Sequence, residues 1–230
     1  VLKDAQAKGY AEKDPTADIE GYDACRKIAI LTSLVCGQQV DFEDIHTEGI
    51  THISATDIKY AKAMGRAIKL LATSKKTDGG YVAMVAPFLL PKEHPLYNVN
   101  GVFNAIFVRG NVLGDAMFYG SGAGKLPTAS AVVADVVDEA KHLHKNIMTN
   151  WSSKPLELIP MDEVEGRFFV RVEGTTVDQV EAVFDDVEIV NLKNLPGEFG
   201  FITTKMKQGE YKEKVQKLNG SVVTMIRVKD

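Results

Sequence analysis

From Arg167 onward the chain alternates short β-prone and helical runs in a fixed order, and no other stretch restricts the possible folds as strongly. RFFVRVEG reads as a strand, VDQVEAVFDD as a helix, VEIVNLKN and EFGFITTKM as strands, GEYKEKVQKL as a helix and VVTMIRVK as a final strand. The order β-α-β-β-α-β over about 65 residues is that of the ferredoxin-like unit. Just before it, TNWSSKPLELIP (149–160) has the Ser, Pro and mixed polarity of an interdomain linker. The expected division is a domain over 1–150, a linker over 151–162 and a ferredoxin-like domain over 163–230. The fold class is α+β, a mixed β-sheet with covering helices followed by the smaller unit.

Upstream, Tyr22 to Cys36 is apolar on every side except for Asp23, Arg26 and Lys27, and Gly37 supplies a C-cap. A helix of that kind is expected to be buried in a core. SATDIKYAKAMGRAIKLLATSKK (54–76) repeats apolar residues every three or four positions, at Ile58, Ala61, Met64, Ile68 and Leu71, and predicts an amphipathic helix. Asp78-Gly79-Gly80 turns the chain into the strand YVAMVAPFLL. NAIFVRG and DAMFYG flank a glycine-containing turn and predict an antiparallel hairpin, after which YGSGAGK opens onto a further helix.

A net charge of −4 with dispersed lysines argues against a nucleic-acid surface. No apolar run approaches the roughly 20 residues of a membrane span. Cys25 and Cys36 fall on one predicted helix, some 16 Å apart at about 1.5 Å per residue, beyond disulfide reach. Two such thiols fit a reducing compartment, so a cytoplasmic location is expected. A chain that opens on Val1 rather than Met reads as truncated or processed.

Three constellations bear on chemistry. GSGAGK invites a phosphate-binding reading, but Lys125 stands where a dinucleotide fingerprint needs glycine. Tyr119 and Leu126 likewise break a P-loop. A tight turn feeding a packed helix accounts for it equally well. Asp23 and Lys27, four apart on a helix, share a face in the favourable order. Most such pairs are surface salt bridges. Here Lys27 leads into IAILTSLVC, which would set its ammonium where polar meets buried, and Glu12, Asp14 and Asp18 lie just ahead. A charged lysine oriented by an aspartate can donate to a developing alkoxide, and carboxylates nearby suit an amino acid's ammonium. The histidines, His46, His52, His94, His142 and His144, lack zinc-site spacing and are assigned to surface or core packing, with no metal expected.

These residues also carry a resemblance. AQAKGYAEKDPTADIEGYDACRKIAIL resembles the homoserine dehydrogenase motif A-Q-x-x-G-Y-A-E-x-D-P-x-x-D-x-x-G-x-D-x-x-x-K, YGSGAGKLPTASAVVAD resembles the second motif of that family, and HPLYNVNGVFNAIFVRG matches the stretch between. The resemblance covers residues 1 to about 145. It implies an oxidoreductase interconverting L-homoserine and L-aspartate 4-semialdehyde with NAD or NADP, on the route to threonine and methionine. By position it implies that Glu12 binds the substrate amino group, that Lys27 is the proton donor and Asp23 its holder, and that Asp18 and Tyr10 contact substrate. Gly122 and Gly124 match the loop over the nicotinamide end of the cofactor.

Family members carry an upstream dinucleotide-binding domain with G-x-G-x-x-G, which binds most of the cofactor and is missing here. The chain therefore reads as the C-terminal portion of a longer enzyme, inactive alone. The tail resembles an ACT domain, with EGTTVDQV (173–180) in place of the usual D-x-P-G and LPGEF (195–199) falling later. L-threonine binding there and a structural, dimerising role both stand open. The family implies a homo-oligomer, a dimer or tetramer. The rival reading from a different class is a non-catalytic amino-acid-binding regulator or dimerisation module, which has no need of Glu12, Asp23 and Lys27 at that spacing.

Overall fold

A computed structural model describes residues 13–148, 151–193, 195 and 197–229. In chain order its principal elements are α1 (Thr16–Ile19), α2 (Tyr22–Cys36), β1 (Gln38–Gln39), β2 (His46–Thr47), α3 (Ala55–Ala63), β3 (Arg66–Thr77), β4 (Gly80–Pro91), β5 (Phe103–Gly110), β6 (Gly114–Ser121), α4 (Lys125–Lys141), β7 (Ser152–Pro155), β8 (Glu165–Glu173), α5 (Val177–Phe184), β9 (Val187–Val190), β10 (Glu198–Thr203), β11 (Met206–Lys207), α6 (Gln208–Val215) and β12 (Ser221–Val228). The mixed α+β class is as expected.

Residues 16–92 and 151–229 form one compact unit. At its centre is an eight-stranded mixed sheet in the order β2-β4-β12-β8-β10-β9, with β3 added on β4 and β11 on β8. The segment β12-β8-β10-β9, with α5 and α6 as crossovers, is the expected ferredoxin-like unit. Along β8, alternate residues serve opposite faces. Phe168, Val170 and Val172 pack with Val180, Phe184 and Tyr211 from α5 and α6. Phe169 joins Tyr60, Ala61, Leu89 and Ile226 in a second core that α3 covers.

The unit does not end where the composition drew its boundary. β4 runs parallel to β12, pairing Phe88 with Arg227 and Leu89 with Val228. It is buried continuously from Val82 to Leu90, as a strand covered on both faces should be. The stretch expected to link two domains is itself paired: β7 lies parallel to β1, and Ile159 N donates to Tyr81 O at 2.8 Å. Leu156 and Leu158 pack against the core of Cys25, Ile28, Val40 and Val85. Ser and Pro mark an irregular path here, and the two leucines anchor it. Packing therefore joins 16–92 with 151–229, instead of separating 1–150 from 163–230.

Two further expectations are corrected. The predicted helix over 54–76 stops at Ala63, Gly65 adopts φ +66°, and β3 follows. The apolar spacing fitted a helix, but twelve residue pairs with β4, from Arg66–Pro91 to Thr77–Gly80, outweigh that preference. Helix α2 is not buried all round. Cys25, Ile28 and Ala29 face the core, whereas Val35 is 82% exposed and Ile30 and Leu34 about half exposed. Among the described residues the sheet covers only one face of it.

Residues 93–148 belong to the other unit. β5 and β6 form the predicted hairpin around Asn111–Leu113, with Arg109 Nε donating to Asp115 Oδ1 at 2.8 Å across the ladder. α4 follows the glycine loop, and none of its 17 residues is buried.

Candidate active site

Asp23 lies in the first turn of α2, where a carboxylate complements the helix dipole. One turn on, Lys27 Nζ sits 2.7 Å from Asp23 Oδ2, so the predicted pair is formed. The lysine is not set at a buried margin: its side chain is 70% exposed and that of Asp23 49%. The helix turns its apolar side to the sheet and carries the pair into solvent. Asp18 is exposed on α1, whose end is closed by Gly21 N donating to Asp18 O at 3.3 Å. Tyr10 and Glu12 lie outside the described residues.

Gly21 stands at the junction of α1 and α2. It is the N-cap of α2 at φ +79° and is buried, so glycine is demanded by backbone conformation. Val85 Cγ1 would lie 3.0 Å from a Cβ placed there. The site segment is thus seated against β4, a buried strand of the sheet.

In the other unit, both glycines assigned to the cofactor loop have local reasons to be glycine. A Cβ at Gly122 would fall 1.4 Å from Asn104 Nδ2. Gly124 is the N-cap of α4 at φ +120°, and its carbonyl accepts from Thr128 N at 3.1 Å. The loop leaves bare backbone at the start of a long helix, which suits contact with one edge of an anionic or polar cofactor. It does not make a complete dinucleotide site.

Sequence reasoning passed over a charged cluster beneath α1 and α2. Arg227, on β12, donates from Nη1 to Glu48 Oε2 at 2.9 Å and from Nη2 to Glu48 Oε1 at 2.8 Å. Nη2 also donates to Gln208 Oε1 at 2.8 Å. His46 Nε2 is 2.5 Å from Glu48 Oε1 and 3.3 Å from Arg227 Nη2, so this histidine, assigned to surface or core packing, takes a place in the polar cluster. Burial opposes the charge on Glu48, but the His46 hydrogen bond and the Arg227 guanidinium outweigh it and draw its pKa down to about 2. No local spacing announces a pair 179 residues apart. Among the described residues no cluster of three or more His, Cys, Asp or Glu side chains is arranged to hold a metal ion.

Comparison with known proteins decides the family. The homoserine dehydrogenase family pattern matches residues 1–137. This chain belongs to the homoserine dehydrogenase family. It is 42% identical to the homoserine dehydrogenase of Neisseria gonorrhoeae over 80% of the chain and 45% of that protein. It is 34% identical to that of Bacillus subtilis over 95% of the chain and 54% of that protein. A solved homoserine dehydrogenase from Thiobacillus denitrificans superposes with a TM-score of 0.85 at 31% identity, covering 100% of this chain and 57% of the other. The Staphylococcus aureus enzyme superposes at 0.79 and 29% identity, over 99% and 58%. The chain thus spans about half the length of the relatives it matches. Both structural likenesses extend through the ferredoxin-like strands, beyond the reach of the family pattern.

Proposed function

We propose that these 230 residues form the substrate-binding and regulatory portion of an NAD(P)-dependent homoserine dehydrogenase that interconverts L-homoserine and L-aspartate 4-semialdehyde. The observation that carries this reading is the Asp23–Lys27 pair, formed at 2.7 Å and presented to solvent at the head of α2, within the family-matched region. Bound NAD or NADP supplies hydride acceptance and return. The chain's own residues handle the substrate oxygen and the amino group. Lys27, held by Asp23, gives a proton to the carbonyl oxygen as it becomes an alkoxide and withdraws it in the reverse direction. Asp18 and, by family position, Glu12 and Tyr10 surround the zwitterion, the carboxylates of Asp18 and Glu12 matching its ammonium.

Gly122 and Gly124 would meet the nicotinamide end of the cofactor, whose larger part is bound by a dinucleotide-binding portion outside these residues. On this reading the isolated chain does not turn over. Exposed apolar side chains on α2, on the hairpin and on α4, including Val35, Phe118, Val132 and Val136, support a homo-oligomer in which they are covered. Two free cysteines support a reducing, cytoplasmic setting. Among the described residues no helix is long and apolar enough to cross a membrane.

The ferredoxin-like order of β12-β8-β10-β9 supports the ACT-like reading of the tail, and an open surface groove of about 460 Å³ is lined there by Glu173, Gly174, Leu195, Gly197 and Glu198. It has room for a free amino acid such as L-threonine. The deciding experiment is NADP reduction by L-homoserine in the intact enzyme, wild type beside Lys27→Ala, with L-threonine added as a further arm. A fall in kcat of about 10² or more with the fold preserved is expected. Near-normal turnover would reduce the pair to a helix salt bridge.

A further inference from the structure

We infer that Glu48 and Gly49, fixed by Arg227 of the last strand, are positioning residues for the segment that carries Asp18, Asp23 and Lys27. The inference rests on the roles proposed above for Asp23 and Lys27. It adds a mechanical link from the ferredoxin-like unit to them.

The link is short and runs through direct contacts. Arg227 is 6% exposed and grips both oxygens of Glu48 with its fork. Gln208, at the head of α6, shares Nη2, so the arginine is held from its own side of the sheet. Glu48 N in turn donates to Val85 O at 2.8 Å, which fixes the backbone that follows. A Cβ at Gly49 would lie 2.3 Å from Ile19 O and 2.5 Å from Glu20 Cα. Only glycine lets the two backbones lie against each other there. Ile50 N then donates to Ile19 O at 2.7 Å. The residue after Glu20 is Gly21, the left-handed N-cap from which α2 starts.

Backbone against backbone leaves no flexible side chain to absorb a shift, so movement at 48–50 passes to 19–21. A helix start that moves carries Asp23 and Lys27 with it. Such groups act only when held to within about half an ångström. The Arg227 fork therefore sets the height of Lys27 above the sheet, and β12 contributes to the site without touching substrate.

The test compares Glu48→Gln and Gly49→Ala with wild type in the intact enzyme, with Lys27→Ala in parallel. The expected result is a fall in kcat between about tenfold and a hundredfold. The KM for the nucleotide should stay unchanged, and amide exchange across 16–24 should quicken while β8 and β10 remain protected. If Glu48→Gln fails to fold, Arg227→Lys, which keeps the cation and loses the fork, takes its place. Unchanged turnover in these variants, with Lys27→Ala itself impaired, overturns the positioning role and leaves the reading of the site standing. A fully active Lys27→Ala overturns that reading, and the positioning role with it. Exchange that quickens equally throughout the sheet also overturns it, by showing a general loss of stability.

Discussion

Two carboxylate–cation pairs in this chain have almost the same length and opposite settings. Lys27 and Asp23 meet at 2.7 Å with side chains 70% and 49% exposed. Arg171 and Asp57 meet at 2.9 Å with side chains 8% and 0% exposed. The first joins neighbouring turns of one helix and is screened by water, so it holds almost nothing together. The second joins β8 to the N-terminus of α3, with Glu198 on Nη1 at 2.9 Å and Ser54 on Nη2 at 3.2 Å. Burial opposes the charge on Arg171, and Asp57 and Glu198 outweigh it, so the guanidinium is held protonated more firmly than in water. Equal distances thus serve unequal ends. The buried pair fixes a helix on a sheet, and the exposed pair is free to meet a ligand.

The largest expected effect comes from breaking the buried member. Asp57 accepts from Arg171 and also from Ser54 N, closing the capping box of α3. Asp57→Ala leaves Arg171 with Glu198 as its remaining carboxylate and removes the reciprocal half of the capping box, and should cost about 3 kcal/mol in chemical denaturation. A cost below about 1 kcal/mol would mean that water reaches Arg171 and that the two pairs differ less than their burial implies.

Glu48 stands between these extremes, a partly buried carboxylate on the same sheet. Its folded pKa of about 2 lies below the ordinary 4.5, so the unfolded chain binds the proton more readily. Its contribution is therefore complete above pH 4.5 and is lost as pH falls toward 2. The stability difference between wild type and Glu48→Gln, followed by denaturation at decreasing pH, should be level above about pH 5 and then shrink. A difference that persists undiminished at the acid end would show that the carboxylate charge is not what binds Arg227.

What could be read from the sequence divides along the same line. Pairs held by local spacing were legible: Asp23 with Lys27, the hairpin around Asn111–Leu113, the glycine stop at Gly37 and the alternation that gives the ferredoxin-like unit. Contacts between remote residues were not. Arg171 and Asp57 are 114 residues apart and Arg227 and Glu48 are 179 apart, and nothing in either neighbourhood names the other. The helix expected through Thr73 and Ser74 failed for the same reason, because its partner strand lies beyond the window in which periodicity is judged. The composition of 149–160 suggested an interdomain linker and could not show that Leu156 and Leu158 are anchored to a core. Ser54 and Asp57 did carry a readable signal, the three-residue spacing of a capping box.

The smallest expected effect falls on the exposed pair, and it sharpens the comparison most. Lys27→Ala and Asp23→Asn remove a charge from a helix face that water already surrounds. Neither leaves a buried group without a partner, and alanine favours the helix slightly more than lysine does. Denaturation midpoints should therefore move by no more than about 0.5 kcal/mol equivalent for either variant. Set beside a large loss of turnover in the intact enzyme, so small a change would separate chemistry from stability at Lys27. A loss of stability matching that of Asp57→Ala would instead mean that the face carrying Lys27 is covered in the assembled protein, and that the pair supports an interface.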